Sequence, residues 1–269
     1  MNDAPLPGPD LWGLIRPHTG AVRTARRTAR GFGSDLTALV EAEKETFFVK
    51  AVRNRPGGRR DSIERERLVN AAVRPLSPAL NWHAQNAEWI ALGFEAVDGR
   101  PARIEPGSAD LTQVVACVAR IRDIRLPSFA RDWHETRWDR FADDPAEATA
   151  LFRGDTLLHT DVNPDNVLLG PDSTWVVDWA WPTRGAAFID PACLVLHLVA
   201  AGHTAASAES WAARCPAWAE AEPRALDAFA TASLRMYRTH SLRRPDAGWL
   251  ATMADAARAW TRHRGLTQA

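Results

Sequence analysis

The chain of 269 residues has no run of about 18 apolar residues, so nothing in it reads as a membrane span. It has no net charge, with 33 basic residues against 33 acidic ones, which removes the broad electrostatic attraction that nucleic-acid binding draws on. Its arginines are spread along the chain rather than gathered in one tract. Cysteine is scarce: Cys117, Cys193 and Cys215 are odd in number, far apart and not spaced with histidines as zinc ligands are. They are expected to be core thiols without a redox or metal role. His197, His203 and His240 form no pair at metal-ligand spacing and are expected to be structural or exposed. The opening residues MNDAPLPGPDLWGL lack the basic and then apolar segments of a secretory signal. A cytoplasmic protein with no nucleic-acid or membrane partner is the resulting expectation. Lysine is nearly absent as well. Lys44 and Lys50 are the two present, every other cation being arginine, so a lysine kept at one place is a candidate for a role that needs a lysine.

What is present is ordinary for a globular protein, 46% hydrophobic and 25% charged, and long enough to bury a core in two lobes. From residue 20 the pattern is β: a weak alternation over 21–30, a clearer one over 36–42 and an apolar run over 47–52. Gly31-Phe-Gly33-Ser34 lies between the first two, and Glu43–Thr46 between the second and third. Residues 53–60 carry proline and two glycines and read as a loop. Asp61-Ser-Ile-Glu64 resembles a capping box opening a helix through Val73, ended by Pro75. On that helix Ile63, Glu66, Val69 and Val73 follow spacings of three and four, so Glu66 lies on an apolar stripe and calls for a partner. Two further strands, 82–85 and 88–97, are followed by Asp98-Gly-Arg-Pro101, which breaks the pattern. That break is the expected boundary between residues 1–97 and 98–269.

In the second part, 111–124 has helical spacing. Residues 131–149 read as one or two helices whose acidic run from Asp132 to Glu147 is expected to be a solvated face. Short β segments follow at 157–158, 167–169 and 175–177, and from Asp190 the chain reads as helical to its end. Asp190 is expected to cap a helix. There is no internal repeat and no low-complexity stretch. Trp133, Trp138, Trp179 and Trp181 lie near the expected cleft; most tryptophans are expected to pack in the core, with a minority left open as lining of a substrate pocket.

Asp161 and Asn166 flank a proline-containing loop between β segments, and Asp178 follows the next hairpin. An aspartate and an asparagine offer hard oxygen ligands suited to Mg²⁺, which takes few protein ligands and fills its octahedron with waters and phosphate oxygens. Asparagine and aspartate beside proline are also common turn residues.

The segment His159-x-Asp161-x-x-x-x-Asn166, followed by Val-Val-Asp178-Trp and then Asp190-Pro-Ala, resembles the catalytic and metal-binding motifs of the aminoglycoside phosphotransferase family. The likeness extends upstream to Phe48-Val-Lys50, Glu66 and Phe94-Glu-Ala-Val97, so it covers nearly the whole chain. It implies an α+β, two-lobed protein-kinase-like fold: a small antiparallel-sheet lobe that binds nucleotide and a mostly helical lobe that carries catalysis. It implies an ATP-dependent kinase acting on a hydroxyl of a small molecule, whether an antibiotic such as an aminoglycoside or a metabolite. Asp161 would be the catalytic base or orienting carboxylate, and Asn166 and Asp178 the Mg²⁺ ligands. Lys50 would contact the α- and β-phosphates, Glu66 would fix Lys50, and His159 would brace the loop. Backbone groups around Gly31, Gly33 and Ser34 would cover the phosphates, and those of Glu95 and Val97 would face the adenine.

The family commonly has Gly, His and Gly where this chain has Thr160, Asn163 and Asp165, the last adding a negative charge beside the expected magnesium ligand. A polycationic acceptor wants an acidic pocket. Residues 197–269 hold more arginines than carboxylates, and the acidic run 132–147 would have to compensate. Two rival readings are a nucleotide-binding pseudokinase that senses or scaffolds, for which no base or metal ligand is missing, and a kinase of protein hydroxyls, disfavoured because no separate activation segment with its closing motif follows Asp178. The sequence assigns no oligomeric state.

Overall fold

A computed structural model describes residues 8–28, 33–74 and 76–266. Their packing divides them into two compact units. One holds the described residues up to Asp98 together with Asp178–Trp181, and the other holds Gly99–Val177 and the described residues from Pro182 on.

In the first unit, five strands form one antiparallel sheet: β1 (Val22–Arg27), β2 (Leu36–Ala42), β3 (Thr46–Arg53), β4 (Leu80–Gln85) and β5 (Trp89–Glu95), in the order β1-β2-β3-β5-β4. β3 is the central strand, with Lys50 opposite Thr37 of β2 and Leu92 of β5. Alternation along β3 sorts its side chains between two cores. Phe47, Val49 and Ala51 pack with Leu36, Ala38 and Val40 against Leu11 and Ile15 of helix α1 (Pro9–Thr19). Phe48 and Val52 pack with Ile90, Leu92 and Phe94 against Ile63 of helix α2 (Gly58–Val73). The sheet is therefore covered on both faces, and each fully buried Leu or Ile contributes about 1.5–3 kcal/mol. Lys50, two residues from Phe48 and from Val52, lies on the α2 face. On β5, Gly93 faces Trp82 of β4 so closely that a Cβ there would meet the indole at 2.0 Å, so only glycine lets that ring lie across the strand.

Two local expectations fail here. The helix starts at Gly58, after Gly57 at φ 135°, with no side-chain cap; Asp61 lies within its first turn and donates its backbone N–H to Gly57 O, so no capping box forms. Helix α1 was not foreseen: it begins directly behind a Pro- and Gly-rich stretch and contains Pro17 near its end.

The second unit is mostly helical. Its helices are α3 (Leu111–Ile121), α4 (Pro145–Phe152), α5 (Ile189–Ala200), α6 (Ala205–Ala212), α7 (Pro216–Ala219), α8 (Pro223–Arg243) and α9 (Gly248–His263). Phe152, Phe188, Phe229, Trp138 and Trp260 form an aromatic core with ring centroids 4.7–6.4 Å apart. Cys117, Cys193 and Cys215 are buried free thiols. Short strands complete the unit: β6 (Arg100–Pro101) pairs with β8 (Val167–Leu169), β8 with β9 (Thr174–Val176), and β7 (Thr156–Leu158) with β10 (Thr183–Gly185). Of the one or two helices expected over 131–149, one forms, α4 from Pro145 behind its cap Asp144; ahead of it the range holds only the short 3₁₀ turn Asp139–Phe141. Among the described residues, no helix is long and apolar enough to cross a membrane.

Candidate active site

In the first unit the Lys50 ammonium is held by two carboxylates. Glu66 accepts from it at 2.9 and 2.8 Å, and Asp178 Oδ1 at 2.5 Å. The fit follows from the sheet: Lys50 lies on the α2 face of β3, and Glu66 lies on the buried stripe of α2. The Lys50 and Glu66 side chains are each only 7% exposed, whereas that of Asp178 is 39% exposed. Burial alone would push the lysine pKa down. The charges of Glu66 and Asp178 and their hydrogen bonds outweigh it and raise it above the ordinary value. Two carboxylates against one ammonium leave a surplus negative charge, a poor arrangement to bury unless a further cation shares it. Asp178 has φ 64°, in the left-handed region, a conformation aspartate tolerates better than most residues. Glycine excepted, Asp178 and Thr160 are the described residues with positive φ, and such outliers cluster at functional positions.

The second unit carries the loop from His159 to Asn166. Asn166 donates its side-chain amide to Asp161 twice, to the backbone carbonyl at 2.9 Å and to Oδ2 at 3.0 Å. Both amide hydrogens are thus turned to Asp161, and Oδ1 is the atom that Asn166 offers a cation. Asn163 donates to Asp161 Oδ1 at 2.9 Å and accepts the Asp165 N–H at 2.9 Å, opening the 3₁₀ turn Pro164–Asn166. The turn role open to asparagine in this loop falls to Asn163, while the exposed Asp161 carboxylate is aimed by hydrogen bonds on both oxygens. His159 braces the loop through three contacts. Its ring Nε2 donates to Val177 O at 2.9 Å, its Nδ1 accepts the Asp161 N–H at 3.2 Å, and its backbone N–H donates to Asp190 at 3.0 Å.

Asp190 does not cap its helix, the role expected of it from the sequence; it serves the loop instead. Fully buried at the start of α5, it accepts both the His159 and Thr160 N–H groups, and its side chain makes no cap bond to α5 itself. Burial pushes its pKa up, against the pull of those bonds.

Sequence reasoning also missed the pair Glu135–Arg137. Glu135, 1% exposed, accepts from Arg137 N at 2.7 Å, Nε at 3.1 Å and Nη2 at 2.6 Å, and from Thr183 Oγ1 at 2.7 Å. Burial would raise the Glu135 pKa, but the Arg137 guanidinium and these bonds hold it below the usual value. Glu135 sits in an acidic run that reads as a solvated face, and its Thr183 partner lies 48 residues away, so no local pattern marks it. Other members of that run are also engaged: Asp139 pairs with Arg153, Asp143 with Arg235, and Asp144 caps α4.

The remaining expected site residues are backbone positions. Gly33 and Ser34 lie in the turn before β2, Glu95 ends β5 with its N–H bonded to Ala79 O, and Val97 lies in the irregular stretch between β5 and β6. Gly31 lies outside the described residues. Also among the described residues, no three His, Cys, Asp or Glu side chains converge as a metal cage. An Asn oxygen and a half-exposed Asp fit Mg²⁺, which takes its remaining ligands from water and phosphate.

An antiparallel sheet with its Lys–Glu pair, and a helical unit with its Asp…Asn loop, define a protein-kinase-like α+β fold. Solved structures share this fold. Choline kinase LicA from Streptococcus pneumoniae matches at TM-score 0.65 and 10% identity, over 94% of this chain and 98% of its own. LicA in complex with AMP matches at TM-score 0.57 and 11% identity, over 91% and 93%. An aminoglycoside phosphotransferase from Alicyclobacillus acidocaldarius matches at TM-score 0.62 and 15% identity, over 98% and 97%. Macrolide 2'-phosphotransferase MphH from Brachybacterium faecium matches at TM-score 0.58 and 18% identity, over 92% and 97%. No protein-family model matches the sequence, and no curated protein does. The chain has the two-lobed fold of the aminoglycoside phosphotransferases and related small-molecule kinases.

Proposed function

We propose that this chain is an ATP-dependent kinase that transfers the γ-phosphoryl group to a hydroxyl of a small molecule in the cytoplasm, without a nucleic-acid or membrane partner. The observation that carries the reading is the buried Lys50 held by both Glu66 and Asp178. Glu66 is the buried partner that fixes the ammonium, while Asp178 is 39% exposed and so remains open to a cation as well. The complex of LicA with AMP supports nucleotide use in this fold.

Lys50 would bind the α- and β-phosphates, with Glu66 keeping the ammonium in place. Asn166 Oδ1 and the Asp178 carboxylate would hold Mg²⁺, which when bound neutralises the triphosphate and the charge that develops on it. Asp161 would orient the acceptor hydroxyl and take its proton as the O–P bond forms and ADP departs. Backbone groups around Gly31, Gly33 and Ser34 would cover the phosphates, and those at Glu95 and Val97 would meet the adenine.

For the acceptor, the pairing of Glu135, Asp139 and Asp143 with arginines halves the number of carboxylates that the 132–147 run offers a polycation. This favours acceptors of lower charge than an aminoglycoside. An ADP-release screen across aminoglycosides, macrolides, sugars and amino alcohols tests the reading. Turnover with one class supports it, and an ATP-induced thermal shift with no ADP release from any acceptor favours a nucleotide-binding pseudokinase.

A further inference from the structure

Thr160 stands one residue before Asp161 at φ 65°, in a conformation that is open to glycine and costly for a β-branched residue. The motif it belongs to commonly has glycine there. Here the threonine is held from several sides. Its N–H donates to Asp190 Oδ1 at 2.6 Å, its hydroxyl donates to His159 O at 2.5 Å, and its carbonyl accepts from Cys193 Sγ at 3.9 Å. The hydroxyl oxygen also accepts from Arg137 Nη2, the nitrogen that donates to Glu135 Oε2. Arg137 is itself fixed by its forked grip on buried Glu135, which Thr183 holds from the other side. Arg137 thus reaches the residue before Asp161 through the side chain that a glycine would lack.

We propose that Arg137 is a positioning residue: braced on Glu135, it locks the Thr160 side chain and with it the left-handed turn that delivers Asp161. A lysine cannot replace it, because a point-like ammonium lacks the planar fork that serves both partners. The geometry predicts a coupling between Arg137 and Thr160 that disappears when residue 160 has no side chain.

The test is a double-mutant cycle of R137A and T160G, read by thermal unfolding and by kinetics. R137A lowers Tm in both backgrounds, because Glu135 loses its counter-ion in both. The drop is larger with Thr160 present, by about 2 °C or more. The kinetic arm rests on the kinase reading. There, R137A lowers kcat at least about tenfold with KM for ATP nearly unchanged, and adding R137A to T160G lowers it less than about threefold. If R137A does not fold, R137K carries the same comparison. Equal Tm drops in the two backgrounds overturn the proposal, and so do equal losses of kcat. Absence of turnover in the unmutated chain would overturn the kinase reading instead, and the Tm cycle would still decide the role of Arg137.

Discussion

Asp190 accepts the backbone N–H of Thr160 at 2.6 Å while also accepting that of His159 at 3.0 Å. One buried carboxylate at the head of α5 thereby fixes the two residues that lead into Asp161, across 30 positions of sequence. D190N keeps the shape but turns donor hydrogens toward groups that are themselves donors. Leaving a buried N–H without an acceptor costs about 1–3 kcal/mol, which in a chain of this size lowers Tm by about 2–4 °C for each kcal/mol. Calorimetry should show that loss, together with a fall in kcat of at least about tenfold. A variant with unchanged Tm and kcat would mean that the loop holds itself.

Lys50, Glu66 and Asp178 form the other half of the account. K50M leaves two carboxylates facing each other with no ammonium between them. Breaking a buried pair in this way costs about 3–5 kcal/mol. The double variant K50M/E66Q removes the stranded charge on Glu66 and should recover part of that stability in denaturant titration. It should recover none of the activity, because the phosphates still lack their cation. Activity restored in the double variant would show that Lys50 acts on Glu66 alone.

The first of these relationships was hidden in the sequence and the second was half visible. Glu66 stood out as a carboxylate on the apolar stripe of Ile63, Val69 and Val73, and its partner Lys50 as one of two lysines, because both signals are local. The strands around Lys50 were readable from alternation and the His159–Asn166 loop from its spacing. Asp190 was legible only as the head of a helix, since nothing local says that its side chain turns away from α5 to the loop. Glu135 and Arg137 were lost in an acidic run for the same reason, and α1 behind the prolines before it. Asp61-Ser-Ile-Glu64 had the letters of a cap, but Gly57 at positive φ let the helix begin earlier.

A further expectation concerns acid. In the second unit Asp110 accepts from Arg100 at 2.6 and 2.8 Å and from the Arg103 N–H at 2.8 Å. Chiefly the Arg100 hydrogen bonds, against the pull of burial, hold its pKa down to about 2. A carboxyl with a depressed pKa contributes stability that is complete above its unfolded value near 3.9 and is lost as pH falls toward the folded one. The unfolding free energies of the unmutated chain and D110N should therefore differ fully at pH 5 and converge near pH 2. A constant difference across that range would remove Asp110 from the titration.

The most direct test follows the phosphoryl group itself. With γ-labelled ATP, Mg²⁺ and an acceptor found in the ADP-release screen, the label should appear on the acceptor, and D161A should lower that transfer by at least about a thousandfold. Its Tm should stay close to that of the unmutated chain, because Asp161 is exposed. Label transfer by D161A at the unmutated rate would contradict the assignment of Asp161 and the mechanism built on it.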